Sequence, residues 1–451
     1  MKTPYRARTA TFVIAVAAVI IGLPHSATSQ TTPALPAHPV TRILPIDLLT
    51  RPIPDSTPNA AQLRRGQYLI TAGDCMSCHL RDGGEPLAGG LGLKTPFGVV
   101  YSPNITSDKD TGIGKWTSDQ FYRAVHDGID DEGKNLYPAF PYPWFRLISR
   151  EDDDAMLAFL KTTPAVRYSP PKNELHFPLN IRSTVKGWNL LYLNSHDYQT
   201  NQRQTAEWNR GAYLVNGLGH CGECHTPKNA FGADKTSQSL YGGPVDNWVA
   251  PDLTGNDRTG LGRWNVADIA EYLSSGRNSH AGAGGAMADV ITYSTSLMTD
   301  ADRHAISVYL KSQNASQSAA NARPDDGAMR RGAAIYSDVC ASCHLEKGVG
   351  QPKYFPPLGP NAVLQQSDPI GLEQLILAGG RIGTSRGSPS PLTMPSFAWK
   401  LSDQEVADVA TFIRNSWGNQ ASAVSAADVR KARVILRLET VHLTANAGDQ
   451  N

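Results

Sequence analysis

All six cysteines of the chain fall in three short strings: DCMSCH (Cys75, Cys78, His79), HCGECH (Cys221, Cys224, His225) and VCASCH (Cys340, Cys343, His344). Each string is Cys-x-x-Cys-His. Two thiols three residues apart can each form a thioether to one haem vinyl group, and the adjacent histidine then lies under the ring as the proximal nitrogen ligand to iron. A disulfide framework would scatter its cysteines. A redox dithiol has no need of the histidine three times over. A zinc knuckle needs a fourth ligand in each copy, or paired motifs close in sequence. Three copies that use every cysteine predict three covalently bound haem c groups.

The surroundings of the motifs repeat as well. RRGQYL (from Arg64), NRGAYL (from Asn209) and RRGAAI (from Arg330) precede them, with Gly66, Gly211 and Gly332 at nearly the same distance from the first cysteine. This lead-in reads as a helix running into the motif. TGIGKW (Thr111 to Trp116) and TGLGRW (Thr259 to Trp264) follow the first two motifs, and each opens a short helical stretch that stops at glycine, Gly128 or Gly276. Each repeat closes with an acid-led amphipathic helix, from Ser149, Met298 and Leu401. Ser or Thr followed by acids suits a helix N-terminus, and residues such as Val406, Val409, Ala410 and Ile413 recur at helical spacing. Helix, haem motif, loops and closing helix are the layout of a small all-α domain whose core is largely filled by the haem. The predicted fold is therefore all-α, three tandem cytochrome c domains at 61–165, 205–313 and 326–418. Linkers are expected at 166–204 and 314–325, an extended proline-rich segment at 30–60, and a tail at 419–451.

A length of 451 residues accommodates roughly three domains of that size. Lys2, Arg6 and Arg8 precede an apolar run from Thr11 to Leu23, broken by Pro24, with small residues at Ala27-Thr28-Ser29. That is an export signal, 1–29, and too short for a membrane span of about 20 residues. An uncleaved anchor is the competing reading. No other stretch reads as long and apolar enough to cross a bilayer. The formal net charge of +1 is no footprint for nucleic acid. The predicted location is periplasmic.

Each proximal histidine leaves one axial position on iron, which methionine or histidine commonly takes. The chain has seven methionines. Met394, in PLTMPSF, is braced by prolines and is the expected ligand of the third haem. Met287, in the glycine-rich GGAMADV, is expected for the second, with His280 a rival. The first repeat breaks the pattern: LYPAFPY places Phe140 in the ligand loop, and phenylalanine cannot bind iron. His126, in FYRAVHDG, is the candidate replacement. A surface histidine beside a five-coordinate haem, or another ligand, remains open. Met76 lies on the wrong side of the motif, and Met156 reads as core.

These residues resemble the three-haem cytochrome c subunits of membrane-associated periplasmic dehydrogenases of acetic acid bacteria and their relatives. The resemblance spans about Ala61 to Gly418 and rests on TPFGVVYSPNIT (from Thr95), TGIGKW, LYPAFPY, WNRGAYLVNGLGHCGECHTPKN (from Trp208), TGLGRW and the Met394 loop. It implies an electron-transfer subunit that takes electrons from a catalytic dehydrogenase subunit and delivers them to membrane ubiquinone or the respiratory chain. It also implies axial ligation by His79, His225, His344, Met287 and Met394. Phe140 departs from the Pro-Ala-Met-Pro-Tyr of the alcohol- and gluconate-oxidising members. It looks more like the haem subunits that accompany molybdenum hydroxylases.

Two other functions are compatible with three haems: a free soluble carrier, and a peroxidase-like enzyme with an open first haem. The tail VRKARVILRLETVHL (from Val429), basic and apolar in patches, suits a membrane surface, a partner, or packing on the third domain.

Overall fold

The computed structural model describes residues 44–193, 198–317 and 323–448, with side chains as far as 437. The expected signal 1–29 lies outside these residues, as does the extended segment up to 43.

Three helix crossings organise the chain. Ala60–Ala72 packs on Arg150–Leu160, Ala206–Tyr213 on Asp300–Lys311, and Asp326–Ile335 on Asp403–Arg414. The second and third opening helices run on into a wider π turn, Leu214–Leu218 and Tyr336–Cys340. Each crossing is tight at a glycine. A Cβ on Gly66 would lie 1.9 Å from the Ala155 carbonyl oxygen, one on Gly211 2.0 Å from that of Ala305, and one on Gly332 2.2 Å from that of Asp408. No side chain fits in such a gap, so the three lead-in glycines are packing requirements.

Local chemistry sets the helix ends. Ser149, Thr299 and Ser402 each accept the amide hydrogen three residues on, with acids following in the first turn. The middle helices Ser118–Asp127 and Val266–Ser275 begin in reciprocal capping boxes, Thr117 with Gln120 and Asn265 with Asp268. Both stop where Gly128 (φ 64°) and Gly276 (φ 73°) turn left-handed. In the third segment Ile370–Ala378 takes this place.

The buried core is mostly helical. Leu69, Ile70, Phe159 and Leu160 of the first segment share one apolar cluster with Leu214, Leu218, Ile306 and Leu310 of the second. The third has its own cluster, around Leu377, Val406, Val409, Ala410 and Ile413. The fold is mostly helical, but all-α is corrected at the margins. Gly92–Thr95 and Gly98–Tyr101 form an antiparallel hairpin that Glu174–Leu175 extends. Gly243–Val245 pairs with Trp248–Ala250, and Gly380–Arg381 with Thr393–Met394. These strands are two to four residues long, too short to show as alternation in sequence.

The described residues between 166 and 193 are woven into the fold. The Val166 carbonyl accepts from Asn104, Glu174–Leu175 adds the third strand, and Thr184–Tyr192 forms a helix. Trp188 Nε1 then donates to the Phe231 carbonyl of the second segment, at 3.0 Å. Segments two and three meet through backbone groups. Gly383 N donates to Ala283 O, and the Arg277 guanidinium to Ser390 O at 2.7 Å. The tail becomes a helix, Ala426–Gly448, that buries Val429 and Ala432 against the third core. Arg433 fixes it by donating to Asp403 and to the Ala398 carbonyl. No helix among the described residues is long and apolar enough to cross a membrane.

Candidate haem sites

Each motif sits on a single short helical turn: Cys75–Cys78, Gly222–His225 and Ala341–His344. Each motif histidine is then held the same way. His79 Nδ1 lies 2.7 Å from the carbonyl oxygen of Pro103, His225 Nδ1 2.6 Å from that of Pro251, and His344 Nδ1 3.0 Å from that of Pro356. A carbonyl only accepts, so Nδ1 carries the proton and Nε2 keeps its lone pair for a metal. Burial lowers the basicity of all three, taking His79 down to about 4, and keeps the rings neutral.

The six cysteines form no disulfide. Burial pushes Cys75, Cys221 and Cys224 up to about 12 and Cys340 up to about 11, and raises Cys78 as well. Such thiols are poor thiolates, unlike the low-pKa cysteine of a redox dithiol. Among the described residues no three His, Cys, Asp or Glu side chains converge on a metal position. Neutral imidazole with a fixed tautomer, beside two cysteines one turn apart, fits a covalently held haem.

The loops that carry the first two prolines are braced by strings the two repeats share. Asn104 Nδ2 donates to Val166 O (2.7 Å) and Thr111 Oγ1 (3.1 Å), and its Oδ1 accepts from Thr106 N. In the second repeat Asp252 stands in its place, accepting from Thr254 N (2.7 Å) and Thr259 Oγ1 (3.2 Å). The threonines that open TGIGKW and TGLGRW thus fix the loop that presents the proline carbonyl. Reading the sequence did not single out Pro103, Pro251 or Pro356, since a carbonyl has no residue-type signature. The signal that was there is the pairing of Ser-Pro-Asn with Ala-Pro-Asp, with the prolines 28 and 30 residues past Cys75 and Cys221.

The distal candidates are less uniform. Met394 lies in a strand, with Gly380 as its partner, half-buried against the third core. Met287 lies in the first turn of the helix Ala286–Tyr293, where a loose glycine loop was expected. Gly285 before it has φ 57°, and a Cβ there would lie 2.8 Å from the Trp248 ring. His280 is engaged elsewhere: its ring stacks on Trp264, with centroids 5.1 Å apart, and its Nε2 is 3.2 Å from Asp268 Oδ2. His126 is only 4% exposed and its ring stacks on Tyr122 at 3.9 Å. Its burial removes the surface-histidine alternative. Met76 and Met156 are buried core residues.

The first two sites are brought together. Phe140 packs on Phe145 (5.5 Å), whose ring meets the edge of His220 (5.0 Å), the residue before Cys221. Reciprocally, the helix carrying Met287 packs on the helix Cys75–Cys78.

A helical segment whose Cys-x-x-Cys-His histidine is fixed through Nδ1 defines a c-type cytochrome. Residues 329–417 match the cytochrome c family model. The chain is 40% identical over 393 residues to the cytochrome c subunit of the quinone-type alcohol dehydrogenase of Gluconobacter oxydans, covering 83% of this chain and 82% of that protein. It is 39% identical over 405 residues to the gluconate 2-dehydrogenase cytochrome c subunit of Pantoea cypripedii, covering 84% and 91%. It is also 39% identical over 392 residues to a nicotinate dehydrogenase subunit of Pseudomonas putida, covering 82% of this chain and 32% of that protein. The chain belongs to the family of dehydrogenase cytochrome c subunits, and its role is electron transfer.

Proposed function

We propose that the chain is a three-haem electron-transfer subunit. It would take electrons from a catalytic dehydrogenase subunit in the periplasm and pass them to ubiquinone or another respiratory acceptor at the cytoplasmic membrane. Three tandem cytochrome c domains hold the haems through Cys75 and Cys78, Cys221 and Cys224, and Cys340 and Cys343. His79, His225 and His344 are the proximal ligands, and His126, Met287 and Met394 the distal ones. The observation that carries this reading is the threefold recurrence of a motif histidine whose Nδ1 is held by a proline carbonyl. Bound haem supplies a reversible one-electron change at iron. The chain's own residues fix the imidazoles and set the first two motifs side by side. Relatives named for alcohol, gluconate and nicotinate dehydrogenases support a dehydrogenase partner and leave its substrate class open between them.

Pyridine haemochrome analysis of the purified chain tests the count. About three haems per chain are expected, and Cys75→Ala/Cys78→Ala, Cys221→Ala/Cys224→Ala and Cys340→Ala/Cys343→Ala should each leave one fewer. Two or fewer in the unmodified chain would break the reading. His126→Ala should change the absorption and lower-potential step of one haem only. An unchanged spectrum and potential would remove His126 as a ligand.

A further inference from the structure

The residue after the first cysteine differs in the three motifs: Met76, Gly222 and Ala341. In the first, the motif's own side chain fills the space beside the turn, and Met76 is 1% exposed within the core. In the second there is no side chain to do so. A Cβ on Gly222 would lie 2.1 Å from Trp144 Cη2 and 2.5 Å from Cζ2. The benzo edge of the indole therefore occupies the space a side chain there would need, and Gly222 is buried. Trp144 belongs to the first segment. The third motif is the open one, with Ala341 half-exposed and Cys343 exposed.

The neighbours of Trp144 hold it there. It lies in the short helical turn Tyr142–Phe145, which runs straight on from the LYPAFPY loop. The Pro141 carbonyl accepts from both Trp144 N and Phe145 N at 3.0 Å, and the Tyr142 hydroxyl donates to Asn189 at 2.5 Å. Phe145 meets the His220 ring, and Leu147 Cβ lies 3.3 Å from where a Cβ on Gly217 would be. Cys221 is thus straddled, with Phe145 against the residue before it and Trp144 against the residue after it.

We infer that Trp144 is a positioning residue for the second haem: lent by the first segment, its indole holds the Gly222 turn and walls that motif from water. The inference rests on the reading of three bound haems. Ferric haem carries one positive charge more than ferrous haem, and water favours the more charged form. A wall that excludes water from the motif therefore raises the potential of the second haem. Because the wall comes from the first segment, the second site is complete only when the two segments are paired.

The test is a spectroelectrochemical titration of the full-length haem-loaded chain. The second haem's step is identified as the one missing from Cys221→Ala/Cys224→Ala. Trp144→Ala should keep about three haems per chain. It should lower the second step by about a tenfold change in the reduction equilibrium, about 59 mV for one electron, and move it further than the first or third. Trp144→Phe, which keeps a flat apolar ring, should show no more than half that shift. Gly222→Ala pushes the ring off the turn and should move the same step in the same direction. A Trp144 that only stabilised the fold would lower the melting temperature and leave the potentials in place. A second step that stays put in Trp144→Ala, or moves no further than the others, would overturn the inference. If that variant fails to load haem, Gly222→Ala decides, and a parent-like second step there would overturn it. The haem count of the unmodified chain tests the functional reading separately, before any potential is compared.

Discussion

At the scale of single residues, Asp153 is the exception that explains itself least by packing. It is the fourth residue of the first closing helix after its Ser149 cap. Arg303 stands there in the second segment, donating to the Thr295 and Met298 carbonyls, and fully buried Val406 in the third. Asp153 is 0% exposed, and neither carboxyl oxygen has a hydrogen-bond partner among the described residues. Burial first, then the neighbouring Asp154, push it up to about 8, with Arg150 opposing. In the unfolded chain it titrates near an ordinary value of about 3.9. Between those values the folded protein holds one proton more than the unfolded chain. Stability therefore falls as pH rises, by about 1.4 kcal/mol per pH unit, and levels off above the folded value. Asp153→Asn should abolish that slope. Thermal melts of variant and parent should nearly coincide at pH 4 and separate steadily towards pH 8, with the variant the more stable. A gap that does not change with pH would show that Asp153 is not proton-linked.

At the scale of elements, the crossing glycines make the sharpest claim. Gly211→Ala forces a methyl group into the Ala305 carbonyl, so the helices must part or bend, at about 1–3 kcal/mol or more. Chemical denaturation should show the loss, whereas Gly187→Ala, in open space on an exposed helix face, should be neutral or slightly stabilising. The same contrast explains what reading the sequence could see. The caps at Ser149, Thr299 and Ser402 and the stops at Gly128 and Gly276 were legible, because their chemistry is satisfied within three or four residues. The three Cys-x-x-Cys-His motifs were legible for the same reason. Glu174–Leu175 was not, since it is a strand only through pairing with Gly98–Val99, some 75 residues earlier. Nor were the prolines that orient the histidines, which act through a group every residue has. Met287 was named from its flanking glycines, yet it lies in a helix whose start depends on the Trp248 ring beneath Gly285.

At the scale of the whole molecule, the first two segments are bound by an exchange of tyrosines. Within each segment an arginine pairs with the acid three residues past the closing-helix cap: Arg65 with Asp152 and Arg210 with Asp302. Each acid then accepts from a tyrosine of the other segment, Asp302 from Tyr68 at 2.6 Å and Asp152 from Tyr213 at 2.7 Å. RRGQYL and NRGAYL display both tyrosines in register, but their acidic partners are set only once the segments pair. The third segment has Ala334 at that position, and its Arg331 pairs with Asp408 of its own closing helix. With one apolar cluster across segments one and two and another in segment three, the chain should melt as two cooperative units. Tyr68→Phe/Tyr213→Phe removes two hydrogen bonds to charged acceptors, worth about 1.5–3 kcal/mol each. Calorimetry should show one transition lowered and the other unmoved. Cys340→Ala/Cys343→Ala should move the transition that the tyrosine variant leaves alone, because haem loss unsettles the third core only. If both variants lowered a single common transition instead, the backbone contacts between segments two and three would be coupling the whole chain more strongly than the separate cores divide it.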